Sequence, residues 1–266
     1  MSVVDIHQGR SPIILGLPHT GTDVPPEIWE RLNDNGQLLA DTDWHIHELY
    51  AGLLSDATTV RATFHRYVID ANRDPSGTSL YPGQNTTGLV PETDFDGEAI
   101  WKEGEAPTEE DIAYRLQHFH APYHAALAAE IDRVKAIHGV AILYDCHSIR
   151  SHIPFLFEGK LPDFNIGTDM GKTCDPAVEA IAVDVTSAAE GYTSILNGRF
   201  KGGWTTRHYG QPDKGVHAIQ MELAQCTHLK TETPPFAYDD DKAATLRTHL
   251  KTILTRMEDF ALALRP

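Results

Sequence analysis

The chain has 266 residues, 41% of them hydrophobic and 23% charged, with a net charge of −16. That suits a single large α/β domain over residues 1–266 with a sizeable core. The acidity argues against a nucleic-acid partner or an anionic membrane surface, since both call for a basic face. Exposed charges are screened over about 8–10 Å in physiological salt, so a local arginine cluster is still able to hold a small anion. Cys146, Cys174 and Cys226 form no CxxC and are too few for a disulfide scaffold; they read as reduced thiols of a cytoplasmic protein. The N-terminus has no charged stretch leading into an apolar one. No apolar run approaches the roughly 18 residues of a membrane span.

In chain order, Pro12 to Pro18 is an apolar run, read as a strand, that delivers His19 to the loop beyond it. Pro25-Pro26-Glu27 opens a short helix, because proline is tolerated in a first helical turn. Asp41, Thr42 or Asp43 is expected to cap the next helix, whose apolar face includes Ile46, Leu49, Tyr50, Leu53 and Leu54. Thr58–Thr63 and Tyr67–Asp70 read as two short strands, the second leading to Asn72-Arg73. Residues 76–107 lack periodicity, but Tyr81, Phe95 and Trp101 favour an ordered excursion over a solvated linker. The longest helical pattern runs from Thr108 to His138, with Leu116, Phe119, Tyr123, Leu127, Ile131 and Val134 as its stripe and Gly139 as its stop.

Val140 to Ser148 then reads as a buried strand ending in Asp145, Cys146 and His147. Asp163–Thr173 reads as a loop, Pro176–Ala189 as a helix and Thr193–Leu196 as a strand. Residues 197–210 form a glycine-rich loop with three cationic side chains, Val216–Glu222 a strand ending on a carboxylate, and Asp239–Leu264 a terminal helix. Strands alternating with helices predict an α/β fold with a mixed, largely parallel twisted sheet covered by helices.

In such sheets chemistry collects at the carboxyl ends of strands. His19, Asn72-Arg73, His147 and Glu222 all stand at predicted ends. A catalytic zinc site needs about three protein ligands and an open position. His19 and His147 are two candidates; Asp23, Asp43, His45 and His47 compete for the third place. No HExxH is present, which excludes the thermolysin arrangement. Asp145 is expected on the opposite face from His147, in a supporting role. Glu222 is the candidate general base. Asn72 suits an amide oxygen and Arg73 an oxyanion. Arg73, Arg150 and Arg207 are candidate carboxylate clamps, because the guanidinium fork matches a carboxylate at two points. Gly202 and Gly203 let their loop come close to a ligand.

Eight segments together resemble the N-formylglutamate amidohydrolases. They are Pro18-His-Thr-Gly, Asp41-Thr-Asp-Trp, Arg66 to Arg73, Ser79 to Gly88, Asp145 to Arg150, Asn197 to Gly203, Thr206 to Gly210 and Gln220 to Gln225. The resemblance spans nearly the whole chain in order. It implies zinc-dependent hydrolysis of N-formyl-L-glutamate to L-glutamate and formate, at the end of a histidine-degradation route. It also implies a fold similar to zinc carboxypeptidases and aspartoacylases (phosphorylase/hydrolase-like). Those enzymes carry a tight His-x-x-Glu, whereas position 22 here is Thr. In formylglutamate hydrolases the recurring acid matches Asp43, so the implied zinc ligands are His19, Asp43 and His147, with Asp23 in reserve. Glu222 is then the base, Arg73 the oxyanion partner, and Arg150 and Arg207 hold the two carboxylates of a small anionic amino-acid substrate. Two other readings use the same residues: an amidohydrolase of another N-acyl acidic amino acid or γ-glutamyl peptide, and a binding protein without turnover. A formyl group needs almost no room, so a bulky Tyr81 or Trp204 beside the metal would favour it.

Overall fold

The computed structural model describes residues 2–79 and 83–264; Tyr81 lies outside them. Among the described residues, seven strands form one sheet: β1 (Val4–His7), β2 (Ile13–Leu17), β3 (Thr58–Ala62), β4 (Ala141–Ile149), β5 (Phe164–Gly167), β6 (Ser194–Leu196) and β7 (Val216–Ala224). Their order is β1-β3-β2-β4-β7-β5-β6. Strands β3, β2, β4 and β7 run parallel to one another, β5 pairs parallel with β6, and the β1–β3 and β5–β7 pairs are antiparallel. The sheet is therefore mixed and largely parallel.

The helices are α1 (Pro26–Trp29), α2 (Ile46–Tyr50), α3 (Glu109–Arg115), α4 (Ala121–His138), α5 (Pro176–Ser187), α6 (Trp204–Tyr209) and α7 (Asp240–Ala263). No helix among the described residues is long and apolar enough to cross a membrane. Thr108 closes a capping box on α3, and Gly139 ends α4 in the left-handed region at φ 78°. Both follow from local chemistry.

Side chains alternate across a strand, and the alternation sorts the core into two layers. Ile13, Leu15, Ile142, Tyr144, Ile219 and Met221 pack beneath α2, α5 and α7. Ile14, Val60, Leu143 and Ala218 face the other way, against Tyr123, Leu127 and Val134 of α4. Central β4 and β7 are buried along their whole length, as helix-covered parallel strands are.

Several local expectations are corrected. Tyr67–Asp70 is a pair of turns, closed by Val68 N–H to the His65 carbonyl at 2.9 Å and Arg73 N–H to that of Asp70 at 3.2 Å. Its apolar side chains are buried in a loop, which a short apolar run cannot distinguish from a strand. Asn72-Arg73 therefore stands on a turn. Residues 164–167 form β5, and 204–209 form α6, inside stretches read as loops. Strand β7 runs two residues past Glu222. Helix α2 has no side-chain cap; it is entered through His45 at φ 59°. Asp41 instead accepts from the Tyr67 hydroxyl at 2.9 Å and the Phe95 N–H at 3.0 Å, anchoring the long excursion, in which Phe95 and Trp101 are buried. Asp145 and His147 share a face, because residues two apart on a strand must.

Candidate active site

One face of β4 and β7 changes character along its length. Leu143 on β4 and Ala218 on β7 belong to the apolar layer under α4. The next inward positions are Asp145 and His147 on β4, paired in register with Gln220 and Glu222 on β7. The last turns of the sheet thus set four buried polar side chains side by side.

His19 reaches this face from the loop after β2. The Asp43 N–H donates to the His19 carbonyl at 3.0 Å, which ties the two loops together and brings the Asp43 carboxylate alongside. Asp43 Oδ2 lies 3.1 Å from His147 Nδ1 and 3.8 Å from His19 Nδ1. One ligand atom from each of His19, Asp43 and His147 falls within 4.8 Å of the others. Asp23 is not in the cluster; its backbone bridges to Phe64 instead.

The far side of each imidazole meets a carboxylate. Asp70 Oδ1 sits 2.7 Å from His19 Nε2, and Asp145 Oδ2 sits 3.1 Å from His147 Nε2. Such pairing fixes a ring's orientation and tautomer and leaves the other nitrogen for a ligand. Asp70 also accepts from Arg66 at 2.6 Å and from the Asn72 N–H at 2.8 Å. Two arginines and His19 outweigh its burial and hold it well below the usual carboxylate range. Burial and Arg66 lower the pKa of His19, against Asp70 and Asp43. Burial works against charge on His147, but Asp145 and Asp43 prevail and raise it well above the ordinary histidine value. Burial pushes Glu222 up to about 8, with Asp43 adding to it and His147 and Arg66 opposing.

These residues fit a divalent cation. Two Nδ1 atoms and a carboxylate oxygen converge in a buried space, each imidazole backed by an acid. Buried Asp43, Asp70, Asp145 and Glu222 outnumber buried Arg66. A proton on His147 Nδ1, the nitrogen that faces Asp43, stands where a cation would bind, and metal ligation displaces such protons. The cluster could hold a metal ion, and two imidazoles with one carboxylate suit zinc.

A cavity opens over the cluster, lined by Asn72, Arg73, Glu222, Arg199, Phe95 and Phe200 among others. Asn72 Nδ2 lies 3.2 Å from His147 Nε2, and Asn72 Oδ1 accepts the Thr205 N–H at 2.9 Å. Gly203 passes close enough for its N–H to donate to Gln220 Oε1 at 2.6 Å, while Gln220 Nε2 donates to Glu222 Oε2 at 2.9 Å. Gly203 thus serves an approach to Asn72 and Gln220. Arg73 is steadied by the Thr87 carbonyl at 3.0 Å.

Arg150 and Arg207 do not line the cavity. Arg150 pairs with Asp96 at 2.7 Å, and Arg207 lies 3.5 Å from Asp169. Among the described residues, the guanidinium groups lining it are those of Arg66, Arg73 and Arg199. Trp204 packs edge-on to His124 and is no cavity wall. Sequence reasoning missed Asp70, Arg66, Arg199 and Gln220. Two of them carried a local signal: Gln220, two residues before Glu222 on one strand face, and Arg199, in the glycine-rich cationic loop.

The fold and site define an α/β protein with a buried His₂–carboxylate cluster and an adjacent glutamate, the equipment of an amide-hydrolysing enzyme. The N-formylglutamate amidohydrolase family model matches residues 11–229, and the chain belongs to that family. It is 48% identical over 254 residues to an N-formylglutamate deformylase of Pseudomonas aeruginosa, covering 95% of this chain and 94% of the relative. It is 47% identical to one of Pseudomonas putida, with the same coverage. Its fold is similar to that of an N-formylglutamate amidohydrolase from Ralstonia eutropha, with TM-score 0.81 at 22% identity and 98% of both chains covered. A gene product of Agrobacterium tumefaciens gives a TM-score of 0.74 at 16% identity, over 98% of this chain and 96% of that one.

Proposed function

We propose that this chain hydrolyses N-formyl-L-glutamate to L-glutamate and formate, as a cytoplasmic step of histidine breakdown, with one zinc ion per chain. The observation that carries the reading is the His19–Asp43–His147 cluster beside Glu222, under a cavity lined by arginines. The names of the two Pseudomonas relatives support the substrate.

His19, Asp43 and His147 would hold the cation, which would supply Lewis acidity for a carbonyl and a bound water. Glu222 accepts a proton from the attacking water and returns it to the departing nitrogen. Its burial suits this, because a base works best with a pKa near the working pH, and a nearby cation favours its ionised form. Asn72 orients the amide, and Arg73 faces the negative charge that develops on the formyl oxygen. Arg199 offers its guanidinium to a substrate carboxylate, in place of Arg150 and Arg207. A substrate lacking that carboxylate forgoes the charge-assisted contact, which weakens its binding relative to N-formylglutamate.

The test is formate release from N-formyl-L-glutamate by purified protein, before and after chelation and on adding Zn²⁺ back. Turnover lost with the metal and restored by it is expected. Absence of formate release from metal-loaded protein refutes the reading, and faster release of acetate from N-acetylglutamate moves it to another acyl group.

A further inference from the structure

Asn72 is flanked by two histidines that the proposed chemistry does not use. The helical stretch from Glu109 to His138 is interrupted where Pro122 falls inside it. Proline has no N–H to give, and its ring crowds the carbonyl four residues back, that of His118. The chain responds with a π-turn over Leu116–His120, and α4 resumes behind it. Turns of this kind often sit beside functional sites.

His120 and His124 lie four residues apart at this junction and so project the same way, their ring centroids 4.4 Å apart. His124 Nε2 is 2.8 Å from the Ala71 carbonyl oxygen, and His120 Nε2 is 3.1 Å from that of Arg73. Those carbonyls bracket Asn72. Burial brings His124 down to about 3 and lowers His120 as well, so both rings are neutral. A neutral imidazole carries one N–H, and the carbonyl partners require it on Nε2. The Tyr209 hydroxyl lies 3.0 Å from His124 Nδ1 and 3.2 Å from the His124 carbonyl oxygen, so its one proton is within reach of both acceptors on that residue. Tyr209 and Trp204 both belong to α6, and that helix also gives the Thr205 N–H to Asn72 Oδ1. The backbone on each side of Asn72 and its side chain are thus held by one aromatic and histidine cluster, outside the cavity.

We infer that His120 and His124 are positioning residues: by holding the carbonyls of Arg73 and Ala71 they set Asn72 against His147 and Arg73 against the cavity. The kinetic part of the test rests on the deformylase reading; the exchange part does not.

The variants are His124→Phe and His120→Phe, which keep a ring but lose the donor, and His124→Gln, whose amide restores one near Nε2. Tyr209→Phe is a milder variant that keeps both histidines. Amide hydrogen exchange is followed in peptides covering 71–75 and 203–206, with 141–149 as the internal standard. Exchange in the first two is expected to quicken by about tenfold or more in His124→Phe and by less in Tyr209→Phe, with the standard unchanged. His124→Gln should return most of the protection. The kcat/KM for formate release should fall about 10²-fold in His124→Phe, with metal content unchanged. In an Asn72→Ala background His124→Phe should cost little more, because both act through one side chain. If His124→Phe does not fold, Tyr209→Phe and His120→Phe carry the test. Unchanged exchange at 71–75 and 203–206 in the folded variants overturns the inference, as does full additivity with Asn72→Ala. Altered exchange in a protein whose wild type releases no formate leaves the positioning role standing and refutes the deformylase reading instead.

Discussion

Gly203→Ala is the smallest change that tests how the site is assembled. A Cβ at Gly203 would lie 2.3 Å from Asn72 Nδ2 and 2.5 Å from Oδ1, where ordinary contact begins at 3.4 Å. The backbone at Gly203, with φ −76°, accepts alanine, so the whole effect falls on Asn72. That side chain is buried and cannot swing into solvent. Relief of the clash requires a retreat of about 1 Å, a misplacement of the size that costs about 10²-fold in rate. The Thr205 N–H bond, now 2.9 Å, would then stretch beyond hydrogen-bonding range. A buried donor and a buried acceptor left unpaired cost roughly 1–3 kcal/mol each. The variant should therefore lose about 2–6 kcal/mol of stability, seen as a fall in Tm of about 4–24 °C for a chain of this size. Its kcat/KM for formate release should drop about 10²-fold. Thermal scans and initial rates read both. Gly88→Ala is the control, since its Cβ would meet only the Val90 carbonyl oxygen at 3.9 Å. If Gly203→Ala matched wild type in Tm and kcat/KM while Gly88→Ala behaved as expected, Asn72 could not be held as described.

Glu222→Gln should lower kcat by about 10²–10⁴-fold while the protein keeps its metal; near-normal turnover would remove Glu222 as the base. Asp43→Ala should reduce bound zinc measured by atomic absorption and Asp23→Ala should not, and the reverse result would exchange their roles. Arg199→Met should raise KM for N-formylglutamate about 10–100-fold with a smaller change in kcat, the worth of one charge-assisted hydrogen-bonded contact; an unchanged KM would take Arg199 out of substrate binding. Burial lowers His124 to about 3 and His228 to about 4, whereas both titrate near 6.5 in the unfolded chain. Below that pH the unfolded chain binds protons that the folded one refuses, so stability falls with pH. Each histidine contributes about 1.4 kcal/mol per pH unit until its folded pKa is reached. In denaturant melts between pH 6.5 and 4.5, the loss of stability with falling pH should be shallower in His124→Gln than in wild type by one histidine's share.

Local chemistry determined much of this protein by itself. The apolar runs of β2, β4 and β7 have to be buried, and their polar ends carry His19, His147 and Glu222 to one edge of the sheet. Thr108 and Gly139 mark the ends of the longest helical stretch, because a capping oxygen and a left-handed glycine are needed there whatever lies around them. Tertiary structure decided the partners. Asp23 and Asp43 are both acids between β2 and α2, and the backbone bond from Asp43 to His19 ties one of them to the imidazoles. Arg150 and Arg207 stand in segments as suggestive as that of Arg199, yet aspartates on neighbouring loops hold both of them away from the cavity. Asp70 read as the last residue of a short strand, and it became the acid behind His19 because residues 65–73 fold as turns. Strand order, loop closure and the competition among acids for each cation depend on residues distant in the chain, so no local period or spacing encodes them.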